Sequence, residues 1–264
     1  MNDGTHDLDI IRIDGGRAAK ARDVVSRESR ISIRLNDFEV VALMCSPVSL
    51  KYLAVGFLFS EGFVNRKKDV HAVDVDEKEE VVRVTADAGE PPPHDSAEGR
   101  LIAASGGRGL TGADFAERAK ALKSGSQLKI HPDTVISLMK EFLGRSKGFD
   151  RTGAIHSAAL CGSNRIEVFH EDIGRHNAID KAIGQAVLEE MSMEDKILVT
   201  SGRISAEILV KAARCGTPIV MSKSAPTDLA VKIASEANIT IVGFAREQRM
   251  NVYSNAWRIQ HEGR

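Results

Sequence analysis

KILVTSGRISAEILVKAARCGTPIVMSKSAPTDLAVKIASEANITIVGF, residues 196–244, carries the pattern that decides the fold. Three short apolar runs, KILVTSG (196–202), TPIVMSKSA (217–225) and ITIVGF (239–244), alternate with ISAEILVKAARCG (204–216) and PTDLAVKIASEAN (226–238). The apolar runs have strand length, and the stretches between them have helical periodicity. Strands alternating with helices imply βαβ crossovers and a parallel sheet. Just upstream, GAIHSAALC (153–161) and RIEVFHEDI (165–173) read as strands joined by Gly162–Ser163–Asn164, an antiparallel hairpin at one side of that sheet. A helix is expected from Asn177 to Glu190.

The first half of the chain reads differently. ISIRLNDFEVVALMC (31–45) alternates apolar residues around an Asn36–Asp37 turn and predicts a hairpin. SPVSLKYLAVGFLFSEG (46–62) predicts a helix that starts on Ser46–Pro47 and stops at Gly62. VVRVTA (81–86) is a further strand, and GEPPPHDSAEG (89–99) is rich in turn residues. PDTVISLMKEFL (132–143) is an amphipathic helix. The expected division is a smaller N-terminal β-rich α+β region, 1–128, and an α/β core, 129–264.

Composition narrows the function. The chain has 264 residues, 42% hydrophobic and 28% charged, with a formal net charge of -1. Nothing in that balance draws the protein to nucleic acid or to a membrane, so an anion site must come from local clustering. The three cysteines, Cys45, Cys161 and Cys215, form no Cys-x-x-Cys pair and sit beside apolar residues, so inert core thiols are expected. The N-terminus has no apolar signal core and the longest apolar run is short, so a cytoplasmic protein is expected.

In open α/β sheets, ligands bind beyond the carboxyl ends of the strands. Four polar clusters fall at such ends: HEDIGRHN (170–177), TSGR (200–203), SKSAPT (222–227) and FAREQRMN (244–251). Ser201–Gly202–Arg203 opens a helix whose unpaired N–H groups suit an anion. Ser224 is expected to cap the helix that starts at Pro226. Arg246 and Arg249, with Arg258 nearby, are expected to form a positive patch. Each motif alone also fits a plain role. Ser-Gly-Arg serves as a helix start, exposed arginines serve solubility, and His156 serves as a hydrogen-bonded strand histidine. His170 and His176 lack metal-ligand partners, so no metal site is expected.

Read together, CSPVSLKYLAVGFLFSEG (45–62), TGAIHSAAL (152–160), EDIGRHNAIDK (171–181), TSGRISAEILVKAARCGTPIVMSKSAPTDLA (200–230) and GFAREQRMNVYS (243–254) resemble the FdhD family, the sulfur-carrier accessory proteins of formate dehydrogenase. The resemblance implies a cytidine-deaminase-like three-layer core with a mixed sheet. It implies binding of the molybdenum bis(molybdopterin guanine dinucleotide) cofactor, with a guanine nucleotide as a possible mimic. It also implies sulfur transfer from a cysteine desulfurase, and a homodimer. The implied cofactor-binding residues are Phe244, Ala245, Arg246, Glu247, Gln248, Arg249 and Asn251, with His156, Asp172, Arg175, His176, Asn177, Ser201, Gly202, Arg203 and Ser222. Glu171 joins Asp172, Arg175, His176 and Asn177 as an expected rim of the cleft.

One departure matters. Active members carry Cys-Gly-x-Cys-Gly in a mobile loop, and the matching residues here are Ser105-Gly106-Gly107-Arg108-Gly109. Ser105 and Arg108 cannot hold a persulfide, which requires a thiolate. Either another cysteine relays sulfur, or the chain binds cofactor without the transfer step. Deaminase chemistry itself is excluded, because it needs His-x-Glu and Pro-Cys-x-x-Cys. Here His156 precedes Ser157 and Ala158.

Overall fold

The computed structural model of the chain describes residues 4–88, the backbone of 101–102, and residues 122–260. The turn-rich stretch 89–99 and the loop with Ser105 and Arg108 lie outside the described residues.

The second half forms one six-stranded sheet in the order β13-β12-β11-β10-β8-β9. Its centre is parallel: β10 (Ile197–Thr200), β11 (Ile219–Ser222) and β12 (Thr240–Arg246). The hairpin of β8 (His156–Cys161) and β9 (Ile166–Asp172) joins antiparallel on one side. On the other side β12 turns back into β13 (Arg249–Val252). β10 and β11 are buried along their whole length, as expected for strands covered on both faces.

Alternation along the strands sorts the side chains into two cores. Leu160, Leu198, Val220 and Ile241 face a layer built from α1 (Leu50–Glu61), α4 (Arg175–Leu188), α5 (Ala206–Arg214) and α6 (Asp228–Glu236). Cys161, Val199, Met221 and Val242 face α2 (Pro132–Arg145), which contributes Val135, Leu138, Met139 and Phe142.

The first half builds a five-stranded sheet in the order β5-β6-β3-β4-β7, from β3 (Ser29–Leu35), β4 (Phe38–Cys45), β5 (Val70–Asp76), β6 (Val81–Ala86) and β7 (Leu101–Ile102). Ile31, Ile33 and Leu43 enter the same core as α1 and α4. α1 is the joint between the two sheets. It is apolar nearly all round, with every residue from Leu53 to Ser60 buried.

α1 crosses α4 with almost no separation. A Cβ built on Gly56 would lie 1.7 Å from Asp180 O, and one built on Gly184 would lie 1.9 Å from Tyr52 O. Only glycine at both positions lets the two backbones touch.

Some elements were not legible in the sequence, a two-stranded ribbon above all. β1 (Thr5–Asp14) and β2 (Arg17–Ser26) form a separate ribbon that leaves Leu8, Ile11 and Ile13 exposed. The ribbon is fixed at its base by α3 (Lys147–Thr152), where Ser26 Oγ donates to Thr152 Oγ1 at 2.8 Å. Both faces of the ribbon are largely exposed, so no alternation of buried apolar residues marks its strands.

Four local expectations are corrected. Ser201–Gly202–Arg203 does not open a helix: α5 starts at Ala206 after Ser205, and the N–H groups of Ser201 and Gly202 are taken by Ser157 O and Thr200 Oγ1. α1 starts at Leu50 after Ser49, while Ser46 faces the protein interior. The cap of α6 is Thr227, whose Oγ1 accepts from Ala230 N at 3.3 Å; Ser224 instead donates its N–H to Ser222 Oγ. The last long strand runs on to Arg246 and pairs with β13, because Phe244 and Glu247 adopt positive φ and fold the chain back.

Replacing Gly56 or Gly184 with Ala is expected to destabilise the protein by about 3 kcal/mol or more, since backbone cannot yield to the new methyl. Gly144→Ala, where a Cβ meets nothing within 4 Å, is expected to be neutral or stabilising. Denaturant midpoints of the three variants check this ordering.

Candidate functional site

Strand direction sets the site. β9, β10, β11 and β12 run the same way, and β8 runs against them. The carboxyl ends of four strands and the amino end of β8 therefore share one edge. His156, the loop after Thr200, the loop after Ser222 and the Phe244–Arg249 turn all meet there.

Hydrogen bonds link these segments in series. Ser201 Oγ accepts from Ser157 N at 3.0 Å and lies 3.3 Å from His156 Nδ1. Ser201 N donates to Ser157 O at 3.0 Å. Gly202 N donates to Thr200 Oγ1 at 3.2 Å, and Gly202 O accepts from Ser222 Oγ at 2.7 Å. Ser222 Oγ in turn accepts from Ser224 N, and Ser224 O accepts from Phe244 N at 3.0 Å. Gly202 has a packing reason as well: its missing Cβ would sit 3.1 Å from Arg175 Cβ and 3.5 Å from His156 Nδ1. Arg175 thus lies across the first turn after β10.

The edge concentrates positive charge. Burial lowers the pKa of Arg175, and the neighbouring Arg203 lowers it further, while Glu207 opposes both. His156 is half-buried and also held below the usual imidazole range, first by burial and then by Arg175, Lys223 and Arg203. Lys223 stands 4.8 Å over the Phe149 ring. Arg246 and Arg249 are exposed and directly paired across the β12–β13 turn. Like charges opposite one another cost stability, a cost that an anion between them removes. Arg249 also lies 6.0 Å from the Phe244 ring centre. Phe244 itself has φ 51°, a left-handed conformation rare for an aromatic residue and concentrated at functional positions.

The expected site residues divide into two groups. His156, Arg175, Ser201, Gly202, Arg203, Ser222, Phe244, Arg246 and Arg249 occupy the edge, with Glu247 and Gln248 in the exposed turn and Asn251 exposed on β13. Ala245 is fully buried.

Asp172, His176 and Asn177 lie beneath the edge and are buried. Asp172 pairs with Lys181 at 2.6 Å and accepts from Ser46 N, Gly174 N and Asn177 Nδ2. Lys181 also donates to Ser46 O and Glu171 O, both at 3.2 Å. Asn177 reaches Met44 O at 2.9 Å. This network ties β4 and the start of α1 to α4. His176 faces Glu207 of α5, Nδ1 to Oε1 3.5 Å. The Glu171 carboxylate accepts from Gly148 N at 3.2 Å, and burial raises its pKa.

Arg258 is a correction. It is fully buried, donates to Ser126 O at 2.8 Å and stacks on Trp257, so it takes no part in a surface patch. Lys223 and Glu207 were not singled out from the sequence. Lys223 stood in the SKSAPT cluster, and Glu207 reads as an ordinary first-turn acid.

All three cysteines are buried, and burial raises each thiol pKa, to about 12 for Cys161 and Cys215 and further for Cys45. A polar hollow of about 590 Å³, lined by Gly162, Asn164, Arg165, Glu167, Asp195 and Lys196, opens at the opposite edge of the sheet. Among the described residues, no helix is long and apolar enough to cross a membrane.

Comparison with known proteins gives consistent matches. Residues 26–260 match the FdhD/NarQ family. The chain is 40% identical to the sulfur carrier protein FdhD of Bacillus subtilis, covering 98% of this chain and 100% of that protein. It is 40% identical to the protein of the same name from Listeria monocytogenes, covering 95% and 97%. A crystal structure of a formate dehydrogenase accessory protein from Desulfotalea psychrophila superposes with TM-score 0.80 at 26% identity, over 97% of this chain and 99% of that one.

Lys181→Met removes the partner of a buried carboxylate and is expected to cost about 3–5 kcal/mol. The double change Lys181→Met with Asp172→Leu is expected to recover part of that loss. Urea unfolding of the two variants measures the coupling.

Proposed function

The chain belongs to the FdhD/NarQ family, and on that premise we propose that it is an accessory protein of formate dehydrogenase maturation that binds the molybdenum bis(molybdopterin guanine dinucleotide) cofactor at the strand-end edge. The observation that carries this reading is the convergence of Arg175, Arg203, Lys223, Arg246 and Arg249 on one edge, among the hydroxyls and backbone of Ser201, Gly202 and Ser222. The cofactor is cargo, and its pyrophosphates are the groups that such a surface recognises. Phe244 and Arg249 offer a flat face for a guanine or pterin ring.

In this reading sulfur comes from a cysteine desulfurase, and the client is a formate dehydrogenase. The protein works in the cytoplasm as a homodimer. A cytidine-deaminase-like relation fits a mixed sheet with helices on both faces, without deaminase chemistry.

A second reading rests on the thiols. Cys45, Cys161 and Cys215 are the chain's whole supply, and all are buried with raised pKa values. Persulfide exchange requires an accessible thiolate. With Ser105 and Arg108 in the loop, the protein then acts as a cofactor-binding chaperone, and the sulfur-carrying thiol belongs to another protein.

Two experiments separate these statements. The Arg246→Ala, Arg249→Ala protein is expected to bind guanosine diphosphate on the order of tenfold or more weakly by calorimetry while unfolding at or slightly above the wild-type midpoint. Unchanged affinity removes the site. Incubation with a desulfurase and radiolabelled cysteine is expected to leave the folded protein unlabelled under the second reading. Label on any of the three cysteines restores sulfur carriage.

A further inference from the structure

We propose that His156 is the proton-linked contact of the strand-end site, neutral when the site is empty and protonated when a phosphate group settles among Arg175, Arg203 and Lys223. The inference rests on the cofactor-site reading and adds a group whose charge changes with occupancy.

The geometry places His156 at the centre of the edge. It is the first residue of β8, half-buried, with Nδ1 3.3 Å from Ser201 Oγ and facing the backbone of Gly202. The charges facing it come from every neighbouring element. Arg175 comes from α4, Arg203 from the loop after β10, and Lys223 from the loop after β11; Asp172 is its cross-strand partner on β9. Asp172 is already engaged by Lys181, so three cations outweigh one compensated carboxylate. An imidazolium in that setting is disfavoured by burial and by repulsion alike. A pyrophosphate reverses the sign of the local field. The imidazolium then gains an anionic acceptor, and its pKa rises in the complex.

The sign follows from linkage. A group whose pKa is raised by the ligand binds a proton as the ligand binds. Affinity is highest below the pKa of the free site. It falls as pH rises toward the pKa of the complex and is flat above it. The slope between the two values is at most about tenfold per pH unit.

The probe is diguanosine 5′,5′-pyrophosphate, whose phosphates each carry one ester and one anhydride link and do not titrate near neutrality. Calorimetry from pH 5.5 to 8.5, in two buffers of different ionisation enthalpy, reads affinity and proton uptake together. The expected result is tighter binding at low pH, by about fivefold or more across the range, with up to one proton taken up. His156→Gln keeps a polar partner for Ser201 and is expected to abolish both the uptake and the pH dependence. pH-independent binding without proton uptake by the wild type overturns the assignment alone. Uptake that persists in His156→Gln also overturns it, and moves the titrating group elsewhere. Absence of binding at every pH overturns the cofactor-site reading itself.

Discussion

The crossing of α1 and α4 is the constraint on which the rest of the structure depends. Gly56 and Gly184 let the two helix backbones meet, and no side chain larger than hydrogen fits at either point. Close approach of this kind favours Cα–H···O contacts and dense packing. Two buried ion pairs flank the crossing. Asp172 with Lys181 holds Ser46, just before α1. Asp180 with Lys211 holds Ser60 in the last turn of α1, through a hydrogen bond of 2.9 Å. Buried pairs contribute specificity more surely than net stability, because desolvation offsets much of their attraction. Here they set the register of α1 on α4 and of α4 on α5.

That register carries the site. The first residue of α4 is Arg175, so whatever fixes α4 fixes the stem of that side chain against Gly202. The EDIGRHNAIDK segment therefore serves two levels at once. Asp172, Asn177, Asp180 and Lys181 face inward and hold the scaffold, while Arg175 faces the edge. His176 links α4 to α5 through Glu207. A surface helix would not carry such a density of charge in its first turns. A helix that joins two sheets and supports a cationic site does.

The α/β core was readable because its signals are local. Ile197–Thr200 and Ile219–Ser222 are apolar runs of strand length, and the helices between them show apolar residues at helical spacing. The hairpin of β8 and β9 announced itself through Gly162–Ser163–Asn164. The β1–β2 ribbon gave no such signal, because both its faces are largely exposed and no buried apolar face repeats along it. β13 was missed because its turn depends on left-handed Phe244 and Glu247, residues that propensity does not assign there. Arg258 was misplaced because an arginine after a strand reads as exposed, and only packing shows it stacked on Trp257 and bonded to Ser126.

The sequence by itself determined the order of strands and helices from β8 to β12, the family, and the identity of the groups that hold positive charge. It determined too that no thiol occupies positions 105 and 108. The tertiary structure alone decided which charges face a ligand and which are consumed in the interior. Sequence spacing fixes which side of a helix a residue occupies, but not what lies opposite. Asp172 and Arg175 are three residues apart, yet one is sealed against Lys181 and the other lies over Gly202. The difference is set by contacts with β4, α1 and the loop after β10, which are more than twenty residues away in the chain and cannot be read from local pattern.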